Sequence, residues 1–114
     1  MKIIIKATGF DLTPAISAQV EKKFDGLEKF LPKNTSPLEL RVEVGLTTRH
    51  HSKGDIFRAE ANLRVHDDIL RVESVKEELV SAIIDARKEL EIVMKKYKGK
   101  QADTNRELKK VLRK

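Results

Sequence analysis

The chain has 114 residues and a formal net charge of +6, with 37% charged and 39% hydrophobic residues, which fits one domain with a single core under a heavily charged surface. It has no cysteine, so it can form neither a disulfide framework nor a thiolate metal site, and a reducing compartment is expected. No apolar run approaches the roughly twenty residues of a membrane span, and the three isoleucines between Lys2 and Lys6 are too few for the apolar centre of a secretory signal; the expected location is cytoplasmic, with no membrane partner.

Lys2 to Thr8 is rich in β-branched residues and predicts a first strand. Thr13-Pro14 is a helix start, with Thr as the N-cap and Pro at the first helical position. Ile16, Val20, Phe24, Leu27 and Leu31 then recur at spacings of three and four, the stripe of an amphipathic helix. Gly26 falls inside that helix, where it costs about 1 kcal/mol relative to Ala. The segment from Pro32 to Pro37 is a turn-rich break.

Leu38, Leu40, Val42, Val44 and Leu46 alternate with Glu39, Arg41, Glu43 and Gly45, and Phe57 to Val65 alternates in the same way, so two half-buried strands flank a polar loop from Thr47 to Asp55. A tight turn at His66-Asp67-Asp68 leads into a fourth strand, Ile69 to Glu73. Ser74-Val75-Lys76-Glu77 reads as a capping box opening a long helix lined by Leu79, Ala82, Ile83, Ala86, Leu90, Val93, Met94 and Tyr97, with Gly99 as its stop. Thr104 to Lys114 forms at most one short basic helix.

The expected class is therefore α+β, in the order β-α-β-β-β-α, with both helices packed on the one apolar face of a four-stranded sheet. Residues 1–100 form the domain and 101–114 a basic tail. Residues 98–114 hold seven basic against two acidic residues, whereas residues 1–97 hold 17 against 16, so attraction to a polyanion is concentrated at one end.

Catalytic motifs are missing. The five glycines are scattered singly, which leaves no phosphate-binding loop, and there is no Gly-x-Ser-x-Gly elbow. Glu77 and Glu78 sit at a helix start, where the helix dipole accounts for them. His50 and His51 beside Asp55, and His66 beside Asp67 and Asp68, lack the helical spacing of metal ligands. The aromatic residues, Phe10, Phe24, Phe30, Phe57 and Tyr97, fall mostly at core positions, which argues against a stacking platform for single-stranded bases. No catalytic residue, metal, cofactor or small-molecule substrate is expected.

Thr13-Pro14-Ala15-Ile16 with Leu27-Glu28-Lys29-Phe30, the run His51-Ser52-Lys53-Gly54-Asp55-Ile56-Phe57-Arg58-Ala59-Glu60-Ala61, and Leu90-Glu91 followed by Met94-Lys95-Lys96-Tyr97-Lys98 together resemble the ribosome hibernation-promoting factors. This is the sigma-54 modulation protein family, which includes the ribosome-associated inhibitors. The resemblance covers about residues 1–100 and is to the short form, which lacks a C-terminal dimerisation domain. It implies a fold similar to a double-stranded RNA-binding domain and a partner in the small ribosomal subunit and its rRNA. There such factors cover the messenger and transfer RNA sites and hold translation idle in stress or stationary phase. It also implies a monomer off the ribosome. The chain departs from the family pattern at Gly26, Val80, Glu89 and Ile92.

RNA phosphates are met by Lys and Arg, largely by shape. The candidate RNA contacts are Lys22, Lys23 and Lys29 on the first helix and Arg49 and Lys53 in the loop, with Arg87, Lys88, Lys95, Lys96, Lys98 and Lys100 on or after the second helix. Two other readings stand beside a ribosome-silencing factor: a general double-stranded RNA-binding module, and a metal-dependent nuclease using His50, His51 and Asp55.

Overall fold

A computed structural model describes residues 2–32, 39–48 and 55–112. The elements are β1 (Lys2–Thr8), α1 (Pro14–Lys23), a 3-10 helix (Leu27–Phe30), β2 (Glu39–Thr48), β3 (Asp55–Val65), β4 (Asp68–Lys76) and α2 (Leu79–Leu112). The expected order of strands and helices is present. The strands lie in the order β1-β2-β3-β4, with β1 parallel to β2 and the other neighbours antiparallel.

The alternation in the strands sorts side chains between two faces. Leu40, Val42 and Val44 of β2, Ala59, Ala61, Leu63 and Val65 of β3, and Val72 of β4 are buried. They form one core with Val20, Phe24, Leu27 and Leu31 from the α1 region and with Ala82, Ile83, Ala86, Leu90, Met94 and Tyr97 of α2. Both β3 and α2 put alanines into this core, which lets the helix lie close on the sheet.

Thr13 caps α1 as expected: its Oγ1 accepts from the Ile16 N–H at 3.2 Å, and Pro14 follows at the first helical position. The helix is shorter than the apolar spacing predicts. It ends at Lys23, and Gly26 adopts φ 74° before the 3-10 helix. Gly26 is thus a helix terminator, not a weak point inside a helix, because only glycine enters the left-handed region without strain. Leu27 still reaches the core because the 3-10 turn carries the stripe onward.

Two further expectations change at α2. Ser74 is not a helix cap: β4 continues to Lys76, and Ser74 is a buried strand residue whose Oγ donates to Asp85 Oδ2 at 2.7 Å. A buried hydroxyl needs an acceptor, and α2 supplies one. Nor does Gly99 stop α2, which runs on to Leu112. A glycine inside a helix costs only about 1 kcal/mol, and helix-forming residues continue on both sides of it. Of α2 beyond Gly99 the structure describes the backbone alone. The 34-residue helix, about 51 Å long at 1.5 Å per residue, sets the 63 Å long dimension. No helix among the described residues is long and apolar enough to cross a membrane.

Candidate nucleic-acid interface

Phe30, in the 3-10 helix, is half-buried against the core. Three cations gather over its ring: Lys29 Nζ at 5.3 Å, Arg87 Cζ at 5.8 Å and Lys95 Nζ at 5.3 Å from the centroid. Such contacts are worth about 0.5–1 kcal/mol each at exposed sites, which helps hold like charges side by side. Sequence spacing missed this arrangement. Phe30 lies off the apolar stripe of the first helix, and two of its three partners, Arg87 and Lys95, come from a distant part of the chain.

Arg87 has a second task. Its Nη1 donates to the backbone carbonyls of Lys23 at 3.0 Å and Asp25 at 2.7 Å, and its Nε donates to Glu91 at 2.7 Å. A guanidinium on the last carbonyl of α1 and one just beyond it satisfies acceptors left free by the helix end and complements the helix dipole. This bond ties the end of α1, where Lys22 and Lys23 stand, to the middle of α2.

The structure therefore joins Lys29, Arg87 and Lys95 directly, with Lys22 and Lys23 anchored alongside. Arg87, Glu91, Lys95 and Lys98 follow at intervals of four, four and three, one stripe of α2 on the α1 side. Lys88, seven residues before Lys95, stands close to that stripe and is exposed. Lys96 lies on the opposite flank, four residues after Ile92. Arg49 and Lys53, like His50 and His51, lie outside the described residues, as does the side chain of Lys100.

Charge balance separates the two faces. Among the described residues, none of Lys22, Lys23, Lys29, Lys88, Lys95, Lys96 and Lys98 forms an ion pair within 4.0 Å. On the open face of the sheet the central charges pair with one another, although Lys2, Lys6 and Arg64 form no ion pair among the described residues. Glu43, Glu60 and Glu73 stand in one cross-strand row, a repulsive arrangement by itself. Arg58 binds all three, contacting Glu60 closely, Glu73 at 3.0 Å and Glu43 at 4.0 Å, while Arg71 binds Glu60 at 2.9 Å and Arg41 binds Glu39 at 3.2 Å. The hydrogen bond from Arg58 holds the Glu73 carboxyl below its ordinary range and raises the guanidinium in turn. Most of the cations without an ion pair are thus on the helix side, a surface suited to a polyanion. Among the described residues, no group of three or more His, Cys, Asp or Glu is placed to hold a metal ion.

The model of the sigma 54 modulation protein / S30EA ribosomal protein family matches residues 3–102. The chain belongs to this family. No curated protein matches it in sequence. Among solved structures, it is similar to the N-terminal domain of Protein Y from Thermus thermophilus at 26% identity and a TM-score of 0.65, over 85% of this chain and 99% of that one. A ribosomal subunit interface protein from Coxiella burnetii shares the fold at 18% identity and a TM-score of 0.70, over 87% of this chain and 99% of that one. The family match includes the Phe30 cluster and the first five residues of α2 beyond Tyr97, and it stops before most of the basic tail.

Proposed function

We propose that this protein is a cytoplasmic ribosome hibernation factor. It binds the rRNA of the small subunit near the messenger and transfer RNA sites, and so inhibits translation in stress or stationary phase. The observation that carries the reading is the cation cluster around Phe30, in which Lys29 and Lys95 form no ion pair among the described residues, in a chain of the S30EA family. Phosphates on RNA would complete it: Lys29 and Lys95 present mobile ammonium groups, Lys22, Lys23, Lys88 and Lys98 widen the patch, and Arg87 fixes the geometry. The partner is a nucleic acid, and the work is binding without catalysis or cofactor.

The test is sedimentation of ribosomes with purified protein, joined to translation in vitro. The expected result is co-sedimentation with small subunits and loss of peptide synthesis near one protein per ribosome. Equal retention by any duplex RNA would support the general double-stranded RNA-binding module instead. Unimpaired synthesis at saturating binding would sink the inhibitory mechanism, and RNA degradation that needs a divalent metal would revive the nuclease reading.

A further inference from the structure

We propose that β4 is a pairing edge for a second copy of this chain, the two β4 strands running antiparallel about a two-fold axis at Val72. The surface is separate from the cation cluster. β4 is the last strand of the sheet, and among the described residues no strand pairs with its outer side. The turn that leads into it has two residues, His66 and Asp67, between the paired Val65 and Asp68. His66 has φ 55°, as hairpin turns of this length require, and such turns close on a hydrogen-bonded pair. Alternation then directs the backbone groups of Leu70, Val72 and Ser74 toward β3 and those of Ile69, Arg71, Glu73 and Val75 outward.

The side chains make this edge self-complementary. With Val72 opposite its copy, Arg71 faces Glu73 of the second copy, and the reverse contact repeats it. Ile69, 64% exposed, faces Val75, 43% exposed, again twice. Asp68 faces Lys76 at both ends. Moving the axis to either neighbouring residue instead sets Arg71 against Arg71 or Glu73 against Glu73. Opposite charges directly across a strand pair stabilise it and like charges oppose it, so one register is selected.

The complementarity extends across the open face. Glu43, Glu60 and Glu73 form one row, and Arg41, Asn62 and Arg71 form the next. In the selected register the acidic row of one copy continues into the basic row of the other. Arg71 and Glu73 already bind Glu60 and Arg58 within the chain, but their side chains are 63% and 46% exposed and keep capacity for a further partner.

The helix side fits as well. α2 packs over β3 and β4, so two copies would place their α2 axes about two strand spacings apart, roughly 10 Å, the distance at which helices pack. Asp85 reaches Ser74 of β4, and Ile92, seven residues later, lies on the same stripe of the helix. Ile92 is 46% exposed, and this pairing would turn it toward the second copy's helix. Arg87 and the Phe30 cluster occupy the α1 flank and stay open. A pairing edge departs from the monomer expected from the sequence.

Sedimentation equilibrium of the full chain, up to roughly millimolar concentration, tests the proposal. A reversible dimer is expected. R71E and E73R should each weaken it about tenfold or more, since each turns two attractive contacts into repulsive ones. Mixing the two variants should restore association, because every charge contact in the mixed dimer is again between opposite signs. V75P, which removes an outward N–H and no bond to β3, should also weaken the dimer. It covers the case in which a charge reversal disturbs the fold, checked by circular dichroism. A monomer at every concentration, a dimer indifferent to all three variants, or a mixture no tighter than its components would overturn the proposal.

Discussion

The guanidinium of Arg87 on α2 donates to the backbone carbonyl of Asp25, just beyond α1, at 2.7 Å, across 62 positions of sequence. The same side chain also binds the Lys23 carbonyl and Glu91. Arg87→Ala should therefore destabilise the fold by about 1.5–3 kcal/mol, the range for hydrogen bonds to a charged group. Arg87→Lys should recover little of this, because an ammonium cannot span the carbonyls and Glu91 with one planar fork. Urea denaturation measures both.

Lys29 and Lys95 meet Phe30 but make no ion pair among the described residues. Replacing both with Gln removes two cation–π contacts and should lower stability by no more than about 1–2 kcal/mol, so the fold persists. Binding to ribosomal RNA should weaken, and the slope of log affinity against log salt should shrink by about one to two units if each meets a phosphate. An unchanged slope would remove these lysines from the interface.

Three glycines should respond to alanine in different ways. At Gly9 (φ 86°) an added Cβ would lie 2.6 Å from the Leu46 carbonyl oxygen, so Gly9→Ala should be the most damaging. At Gly26 (φ 74°) nothing lies within 4 Å of the added carbon, so the loss should be the conformational term, about 1–2 kcal/mol. Gly99 is helical and open, and Gly99→Ala should raise helicity and add up to about 1 kcal/mol. Thermal melts followed by circular dichroism give all three signs.

Glu73 is held below its ordinary carboxyl value of 4.5, first by the Arg58 hydrogen bond. A carboxyl with a depressed folded-state value binds fewer protons folded than unfolded near that value. Its contribution is therefore complete above the unfolded pKa and is lost as pH falls through the folded one. Glu73→Gln should flatten the fall in stability below about pH 4.5 and leave the slope from pH 6 to 8 unchanged. Denaturant midpoints for both proteins across that range check it.

Deleting residues 101–114 removes Arg106, Lys109, Lys110, Arg113 and Lys114. The core lies within residues 20–97, so the shortened chain should still fold. If the tail meets about three phosphates, the salt slope should fall by about two to three units, at roughly 0.7–0.9 per phosphate. Affinity should drop most at low salt. An equal affinity and slope in the shortened protein would assign the tail no part in RNA binding.

Periodicity in the sequence was sufficient for the four strands, the capped start of α1 and the inward face of α2. Those features depend on side chains within a turn or a pleat of one another, and on which of them water rejects. It also marked the lysines as a class, since an excess of positive charge is visible without a fold. Distance along the chain hid the rest. Gly26 and Gly99 look alike in sequence, yet one ends a helix and the other lies within one, because the core decides where the backbone must turn. Ser74 has the sequence of a cap but is a buried strand residue, since Asp85 of α2 accepts its hydrogen bond. Arg87 and Lys95 are both cations on one helix. Only the packing of α1 against α2 makes the first a tether between helices and leaves the second free to meet phosphate, because a carbonyl at a helix end attracts a guanidinium only when tertiary structure brings the two within reach.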